Sequence, residues 1–453
     1  MNREKIGNYS IGYAILRVYA GLMHYLYYDR LRVKGREHVP HTGPVIFAPN
    51  HQNALMDALA VLFTYKRQMV FMARSDIFKK GIFERILTFL KILPIYRIRD
   101  GYAALQSNEE IFDQTVALLG NGTPLVILPE GNHAGRRRLR PLKKGIARIA
   151  FQAESARDFK LGIQIVPVGL DYSHYARPGG ELLVTYGQPI DVSTYASLYR
   201  ENPAKAHKAL LHELSTRLSS LMVDIQSEDH YEMIDTIRHC YPYALLSERG
   251  EPATTWNRHK AELETVELLE KWLNSHPEPQ EVLRLSEQAG AYREALEGHA
   301  LEYRNMGEGR MPWWKTIAQG VLFLLFFPAF VYGLLNNILP ALVPNMVVRR
   351  VKDVQFHSTF IFGLAIVTFP LMYALQTLLF SLIAPLPPVY TLWYLVSLPI
   401  SGIVAMRYRL LWRRYLARVR LVMLSVFRRS VYQRITEMRD RLMGALESIR
   451  GKV

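Results

Sequence analysis

The first residues whose side chains could take part in catalysis are His51 and Asp57, six positions apart and preceded by Asn50. A carboxylate beside a histidine fixes the imidazole tautomer and stabilises the imidazolium, so that the other ring nitrogen can take a proton. No serine or cysteine nucleophile lies in an elbow motif nearby, so the base would act on a hydroxyl of the substrate. Because an isolated His–Asp pair is more often structural than catalytic, its meaning depends on the clusters that follow.

A second polar cluster occupies residues 93–101 and places Arg97 and Arg99 at the end of an apolar segment. A guanidinium in such a place can bind a phosphate through two parallel hydrogen bonds. The alternative is a surface ion pair, for instance of Arg99 with Asp100.

A third cluster contains Glu130 and Gly131, followed by a basic stretch that includes Lys143 and Lys144. A glutamate at a strand end can accept a hydrogen bond from a substrate hydroxyl, and a neighbouring glycine permits close backbone approach. The basic stretch is expected to open a helix, whose N-terminus favours phosphate, although a charged run can also be a solvated loop.

Apolar runs that read as strands alternate with helical patterns through this region, which predicts an α/β fold with a largely parallel sheet covered by helices. Ligands of such sheets gather at the carboxyl ends of the strands, where all three clusters fall. Neither GxGxxG nor GxxxxGK[ST] is present, which argues against a nucleotide enzyme. The predicted strands are 45–48, 68–73, 92–98, 125–128, 163–168 and 182–186, and the predicted helices 54–65, 77–90, 102–119 and 143–153.

In this order, the clusters resemble the motifs of the glycerolipid acyltransferase superfamily of glycerol-3-phosphate and lysophosphatidate acyltransferases. Its NHx₄D motif corresponds to residues 50–57, its second motif to 94–97, FPEG to 128–131, and its apolar fourth motif to 166–169. Five residues rather than four separate the histidine from the aspartate, so the helix must start differently. That departure, with Asn132-His133 after the third motif, is similar to the branch acting on glycerol-3-phosphate or dihydroxyacetone phosphate.

The resemblance implies a membrane-bound enzyme that moves a fatty acyl group from acyl-CoA or acyl carrier protein to a hydroxyl of a glycerol phosphate. His51, oriented by Asp57, would be the base, and a backbone N–H near the His51 loop would stabilise the oxyanion. No cofactor and no metal are expected, since a thioester is already activated. The resemblance assigns substrate binding to Arg97, Glu130, Gly131, Arg99, Lys143, Lys144 and Asn50.

Three other functions are compatible with parts of the sequence. The acceptor of the acyl group could be 1-acylglycerol-3-phosphate instead. The chain could also be a non-catalytic scaffold that binds anionic membrane lipid, although a scaffold has no use for a His–Asp dyad. The net charge of +16 also fits nucleic acid. We expect no nucleic-acid partner, because the positive charge adjoins membrane-like segments.

Most of the excess positive charge lies in residues 407–453, which hold twelve arginines and one lysine against three acidic residues. Apolar residues between the arginines predict a basic amphipathic helix on an anionic membrane surface. The single cysteine, Cys240, excludes an internal disulfide framework and a cysteine-based metal cage.

Two uncharged stretches precede this tail. Residues 359–406 are long enough for two membrane spans with a turn at 385–388, since about 20 residues cross a bilayer. Residues 317–348 are interrupted by asparagines and prolines, which predicts a re-entrant or interfacial hairpin. Arginines flank the two spans on both sides, and the positive-inside rule then places the acyltransferase domain and the tail in the cytoplasm.

The predicted organisation has five parts. Apolar residues at 11, 15, 19, 22 and 26 share a helical face, which favours contact with lipid. The parts are an amphipathic N-terminal helix (1–36), an acyltransferase domain (37–225), a helical extension (226–311), a membrane region (312–406) and the basic tail helix (407–453).

Overall fold

The computed structural model describes residues 6–75, 78, 81–95, 102–132, 135–307 and 312–452. The chain divides into two compact units. The first comprises Met1–Met222 with Leu342–Thr368, and the second Val223–Ala341 with Phe369–Val453.

The first unit is built on an eight-stranded sheet in the order β1-β7-β6-β2-β5-β3-β4, with β8 also paired to β6. Pairs β1–β7, β6–β2, β2–β5, β5–β3 and β3–β4 are parallel, whereas β7 and β8 run antiparallel to β6. The prediction of a largely parallel sheet is confirmed. The strands are β1 (Arg30–Lys34), β2 (Val45–Pro49), β3 (Val70–Arg74), β4 (Ile92–Ile95), β5 (Leu125–Val126), β6 (Gln164–Tyr172), β7 (Glu181–Tyr186) and β8 (Ile190–Asp191).

Helices cover both faces of this sheet, because β2 is buried on both sides and carries an unbroken apolar run. Val45 and Phe47 pack into a core that also receives Met56 and Tyr13, while Ile46 and Ala48 pack with residues of the helices on the other face. The helices are α1 (Ile11–Tyr27), α2 (Leu55–Thr64), α3 (Ile82–Phe89), α4 (Tyr102–Gly120), α5 (Gly145–Ser155), α6 (Ala196–Glu201) and α7 (Pro203–Ser219).

The N-terminal segment differs from the single helix predicted for residues 1–36. Helix α1 ends at Tyr27, and the chain then enters the sheet as β1, at its edge. Charged and apolar residues alternate in β1, as expected for a strand exposed on one face, and Arg30 pairs with Glu181 of β7 at 3.4 Å.

The second unit contains a helical core formed by α8 (Tyr231–Glu248), α9 (Thr255–Asn274), α10 (Pro279–Gly298), α11 (Tyr303–Gly307) and α15 (Arg429–Arg450). The tail is therefore not one surface helix. It breaks at Arg428, and the apolar face of α15, with Ile435, Leu442 and Leu446, is buried in this core. Burial against protein leaves that face no surface to offer a membrane.

Three described helices are long and apolar enough to cross a membrane: α12 (Trp313–Val348), α13 (His357–Ile383) and α14 (Pro388–Phe427). Helices α13 and α14 lie on either side of the turn predicted at 385–388. The hairpin prediction for 317–348 was wrong, because α12 runs through Asn336, Asn337, Pro340 and Pro344 without interruption.

Hydrogen bonds from the neighbouring helices explain why α12 continues. Pro340 has no N–H to donate to the carbonyl of Asn336, and the Gln376 side chain donates to that carbonyl instead, at 2.9 Å. The Asn336 side chain accepts from Tyr394 at 2.9 Å, and Asn337 accepts from the Tyr373 hydroxyl at 2.5 Å. In an apolar surrounding each polar group must find such a partner, so the asparagines act as contacts between helices.

Candidate active site

The His51–Asp57 dyad forms at the carboxyl end of β2. His51 lies two residues after the end of the strand, and Asp57 lies in the first turn of α2, where the helix N-terminus favours negative charge. The Nδ1 atom of His51 lies 2.9 Å from Oδ2 of Asp57. The same oxygen accepts the backbone N–H groups of Gln52 and Asn53, at 2.8 and 2.7 Å. The carboxylate thus fixes both the imidazole and the loop that carries it.

The extra residue between His51 and Asp57 is accommodated at the helix start. Ala54 has a φ of 45°, an uncommon value for a residue with a side chain, and α2 begins directly after it. This turn brings the Asp57 carboxylate within hydrogen-bond distance of His51.

Tyr172, at the end of β6, completes the surroundings of the aspartate. Its hydroxyl donates to Oδ1 of Asp57 at 2.7 Å, and Asp57 is fully buried. Burial and the neighbouring Asp57 raise the pKa of the Tyr172 hydroxyl well above its usual range, so it remains a neutral donor. Four donors together offset the cost of burying the Asp57 charge.

Glu130, which follows β5 on the other side of β2, has a different role from the one expected. It is buried; its Oε1 accepts the backbone N–H of His51 at 2.6 Å, and its Oε2 accepts that of Arg140 at 3.0 Å. Both carboxylate oxygens thus bind backbone N–H groups, and Oε1 positions the loop that carries His51 (residues 50–53). Burial raises the pKa of the Glu130 carboxyl to about 7, although the two N–H bonds act in the opposite direction.

Asn50 is likewise structural in this geometry. It is fully buried, and its side chain pairs with both backbone groups of Leu170, accepting at 2.7 Å and donating at 3.1 Å. Its own N–H donates to the carbonyl of Val168 at 3.3 Å. Since the N–H groups of residues 50–53 all have protein acceptors, the expected oxyanion donor near the His51 loop is not among these four.

Gly131 and the two lysines lie together beside the dyad. Gly131 has a φ of 67°, which favours glycine, and an added Cβ would approach Cγ of Lys143 to 3.4 Å. Lys143 and Lys144 are exposed and directly precede α5. Arg97 and Arg99, the other predicted phosphate ligands, lie outside the described residues.

A second set of hydrogen bonds supports the loop that carries His51 (residues 50–53). The buried Arg137 donates to the carbonyl of Tyr172 at 2.6 Å and to the hydroxyl of Tyr175 at 3.0 Å. The Tyr175 hydroxyl donates in turn to the side chain of Gln52. Arg137 of the basic stretch thus uses its guanidinium to bind protein groups inside the fold.

The first turns of α13 also belong to the first unit and contact the loop that carries His51. Ser358 is fully buried, and its hydroxyl donates to Oδ1 of Asn53 at 2.6 Å. Phe362 packs edge-on against His24 and Tyr27 of α1, with ring centroids 5.9 and 6.0 Å apart. A helix that is apolar enough for a membrane therefore begins as part of the active-site support.

Sequence reasoning missed Tyr172, Tyr175, Arg137 and Ser358. Tyr172 had a usable signal, because it ends a strand whose apolar run was recognised and whose neighbour carries His51. Ser358 had none, since 305 residues separate it from Asn53.

Comparison with known proteins agrees with this geometry. Residues 30–171 match the family described as Acyltransferase. Glycerol-3-phosphate O-acyltransferase 2 of Saccharomyces cerevisiae is 30% identical over 141 residues, which cover 31% of this chain and 19% of that protein. The 1-acyl-sn-glycerol-3-phosphate acyltransferase alpha of Mus musculus is 32% identical over 142 residues, covering 31% of this chain and 47% of that protein.

Among solved structures, the 1-acyl-sn-glycerophosphate (LPA) acyltransferase PlsC from Thermotoga maritima aligns at 18% identity and a TM-score of 0.31. The alignment covers 45% of this chain and 80% of that one.

The segment that matches the Acyltransferase family carries the His51–Asp57 dyad at the carboxyl end of β2. The relatives are named as glycerol-3-phosphate and 1-acylglycerol-3-phosphate acyltransferases, and the chain is similar to each of them over about 140 residues. The matched segment spans about a fifth of the yeast relative and about half of the mouse relative.

Proposed function

We propose that this protein transfers a fatty acyl group from a thioester to a hydroxyl of glycerol-3-phosphate or dihydroxyacetone phosphate during phospholipid synthesis. The observation that carries the proposal is the His51–Asp57 dyad, fixed from β6 by Tyr172 and from β5 by Glu130. Because Nδ1 faces Asp57, the proton-accepting role falls to Nε2. The relatives named for both glycerol-3-phosphate and 1-acylglycerol-3-phosphate support a glycerol phosphate acceptor.

In the proposed reaction, Nε2 of His51 takes the proton of the acceptor hydroxyl as its oxygen attacks the thioester carbonyl carbon. The carbon–sulfur bond then breaks, and the leaving thiolate receives the proton from the imidazolium. Asp57 stabilises the imidazolium between the two transfers. General base catalysis of this type contributes about 10²- to 10⁴-fold to the rate.

Lys143 and Lys144, next to Gly131 at the start of α5, are the proposed ligands of the acceptor phosphate, together with Arg97 and Arg99. Exposed ammonium groups at a helix N-terminus combine mobile positive charge with free backbone N–H groups. Glu130 and Asn50 act indirectly in this proposal, by holding the His51 loop.

The proposed setting is a membrane, with the acyltransferase domain on the cytoplasmic side. The uninterrupted α12 removes the hairpin on which the prediction of a cytoplasmic tail depended. The three long apolar helices support membrane association. The basic residues Arg349, Arg350 and Lys352 precede α13, whose first turns contact the loop that carries His51, and they support this orientation through the positive-inside rule. Acyl-CoA and acyl carrier protein are both proposed as possible donors, and anionic lipids rather than nucleic acid as partners of the basic surface.

The test is acyl transfer by detergent-purified full-length protein, with labelled palmitoyl-CoA and, separately, palmitoyl-acyl carrier protein. Each donor is offered glycerol-3-phosphate, dihydroxyacetone phosphate or 1-acylglycerol-3-phosphate. We expect labelled monoacyl product, a loss of at least about 100-fold in His51→Ala, and wild-type activity in the control His41→Ala, an exposed histidine.

Label found only in the diacyl product would move the acceptor to 1-acylglycerol-3-phosphate. No transfer with either donor, or full activity in folded His51→Ala, would contradict the proposal. Lipid binding without transfer would favour the scaffold alternative.

A further inference from the structure

A cavity of about 680 Å³ lies at the opposite end of the sheet from His51. Its walls are α1 and the segments 66–68 and 122–124, which lead into the amino ends of β3 and β5. The dyad, by contrast, stands at the carboxyl ends. The cavity is therefore separate from the site of acyl transfer.

Three cationic side chains line this cavity: Arg17, Lys66 and Arg67. Arg17 donates to the carbonyls of Lys66 and Leu62, at 2.8 and 2.9 Å, and to that of Tyr65. These contacts cap the end of α2 and hold the guanidinium in place, but they are to neutral acceptors.

Arg67 is held in the same way, by the carbonyls of Gly43 at 3.2 Å and of Gly122. Among the described residues that line the cavity none is acidic, and no carboxylate in the described part of the chain pairs with any of the three cations. Three positive charges thus face one cavity without a protein counter-ion, which favours an anionic ligand.

The outer face of α1 is apolar beside this cavity. Ile11, Ile15, Val18, Leu22 and Tyr25 recur every three or four residues along the helix and are each more than half exposed. Val18 belongs to this stripe and also lines the cavity. The 17 residues of α1 extend about 25 Å, a length comparable to phospholipid acyl chains laid along it.

We propose that the cavity binds the phosphate group of an anionic membrane phospholipid, whose acyl chains lie along the exposed stripe of α1. The cations account for the negative headgroup, and the adjoining stripe accounts for a lipid instead of a free phosphate ion. The apolar helices of the same chain make a bilayer the available source. The site would hold α1 in the membrane surface and is independent of the acyl-transfer proposal.

The experiment counts lipids on the detergent-purified full-length protein by native mass spectrometry. The probes are dioctanoyl phosphatidylserine, dioctanoyl phosphatidylcholine and inorganic phosphate. The variant is Lys66→Glu, and the control is Lys205→Glu, an exposed lysine of α7 that does not line the cavity. Reversing the charge of an exposed lysine leaves the packing of α1 and α2 intact.

We expect Lys66→Glu to lose one bound phosphatidylserine, with the affinity of that site lowered about tenfold, while Lys205→Glu keeps it. Phosphatidylcholine and phosphate should bind more weakly than phosphatidylserine. Equal lipid counts in wild type and Lys66→Glu, an equal loss in Lys205→Glu, or binding of phosphatidylcholine or phosphate as tight as that of phosphatidylserine would overturn the proposal.

A second variant separates headgroup from chains. Ile15→Ser combined with Leu22→Ser makes the stripe polar without touching the cations. We expect weaker phosphatidylserine binding and unchanged phosphate binding. Unchanged lipid binding in this folded variant would remove the stripe from the site and overturn the proposal in its lipid form.

Discussion

Two parts of the molecule bury polar side chains, with different results. Around His51, side chains from β6, α2 and the loop after β5 bind backbone N–H groups, the Nδ1 atom of the imidazole and one another. Among α12, α13 and α14, side chains bind each other and a carbonyl without its helical donor. In the proposed reaction the first network orients Nε2 of His51 for proton transfer, whereas the second joins helices. Buried polarity alone therefore does not mark an active site.

The largest effect is expected for Asp57→Asn, which removes the carboxylate at the centre of the hydrogen bonds around His51. The amide places a donor where Asp57 now accepts, so His51 loses its tautomer and the loop loses an acceptor for its N–H groups. We expect kcat to fall about 10³-fold. Because Asp57 acts through His51, the double variant Asp57→Asn, His51→Ala should be no worse than His51→Ala. Additive losses would contradict this dependence.

A smaller effect should follow from Tyr172→Phe, which removes one donor to Asp57. We expect a loss of about 1–3 kcal/mol of stabilisation, about tenfold in kcat, and a shifted pH profile of kcat/KM. Tyr186→Phe is the matched control, because its buried hydroxyl bonds Thr64 at 2.7 Å, away from the dyad. It should lower thermal stability only. An equal fall in kcat for both variants would refute a positioning role for Tyr172.

Glu130→Gln tests the network through pH. With a folded pKa of about 7 against 4.5 unperturbed, the folded protein binds one more proton than the unfolded chain between these values. Its free energy of unfolding therefore falls as pH rises through this window, by about 1–3 kcal/mol. Thermal melts from pH 4.5 to 8 should show that the variant lacks this fall. Glu154→Gln, another buried glutamate bonded to backbone N–H groups, should retain it.

The smallest effect concerns the hydrogen bonds between α12 and its neighbouring helices. Gln376→Leu leaves the carbonyl of Asn336 without its side-chain donor. The free energy of unfolding in detergent or bilayer should fall by about 0.6 kcal/mol, with no change in kcat. Pro340→Ala restores the missing N–H, so it should remove most of the cost of Gln376→Leu in the double variant. A loss of kcat in Gln376→Leu would show that this region does more than join helices.

The sequence predicted the strands and helices of the first unit well, because local pattern decides secondary structure there. Every predicted strand and helix of that region overlaps an observed one, because apolar runs and turns report burial directly. His51 and Asp57 were found because their spacing is local. Edge strand β1 was missed, since its alternating charged pattern is also compatible with a helix end.

Contacts between distant segments could not be predicted in the same way. Glu130 was assigned to the substrate because a strand-end carboxylate was visible, whereas its two backbone partners depend on the packing of loops. The asparagines of α12 were taken as breaks because the donors on α13 and α14 that satisfy them lie far along the chain. Pattern reports what a residue can do, and packing decides which partner it finds.

The docking of Ser358 and Phe362 against the catalytic unit also sets an order of events in biosynthesis. Their partners were made more than 300 residues earlier, so the unit acquires its last internal contacts only after α12 has been synthesised. Nascent chains ending before residue 357 should be more sensitive to protease in this unit than chains extending well beyond residue 368. Until translation passes that point, the first unit lacks the contacts that the first turns of α13 make with Asn53 and His24.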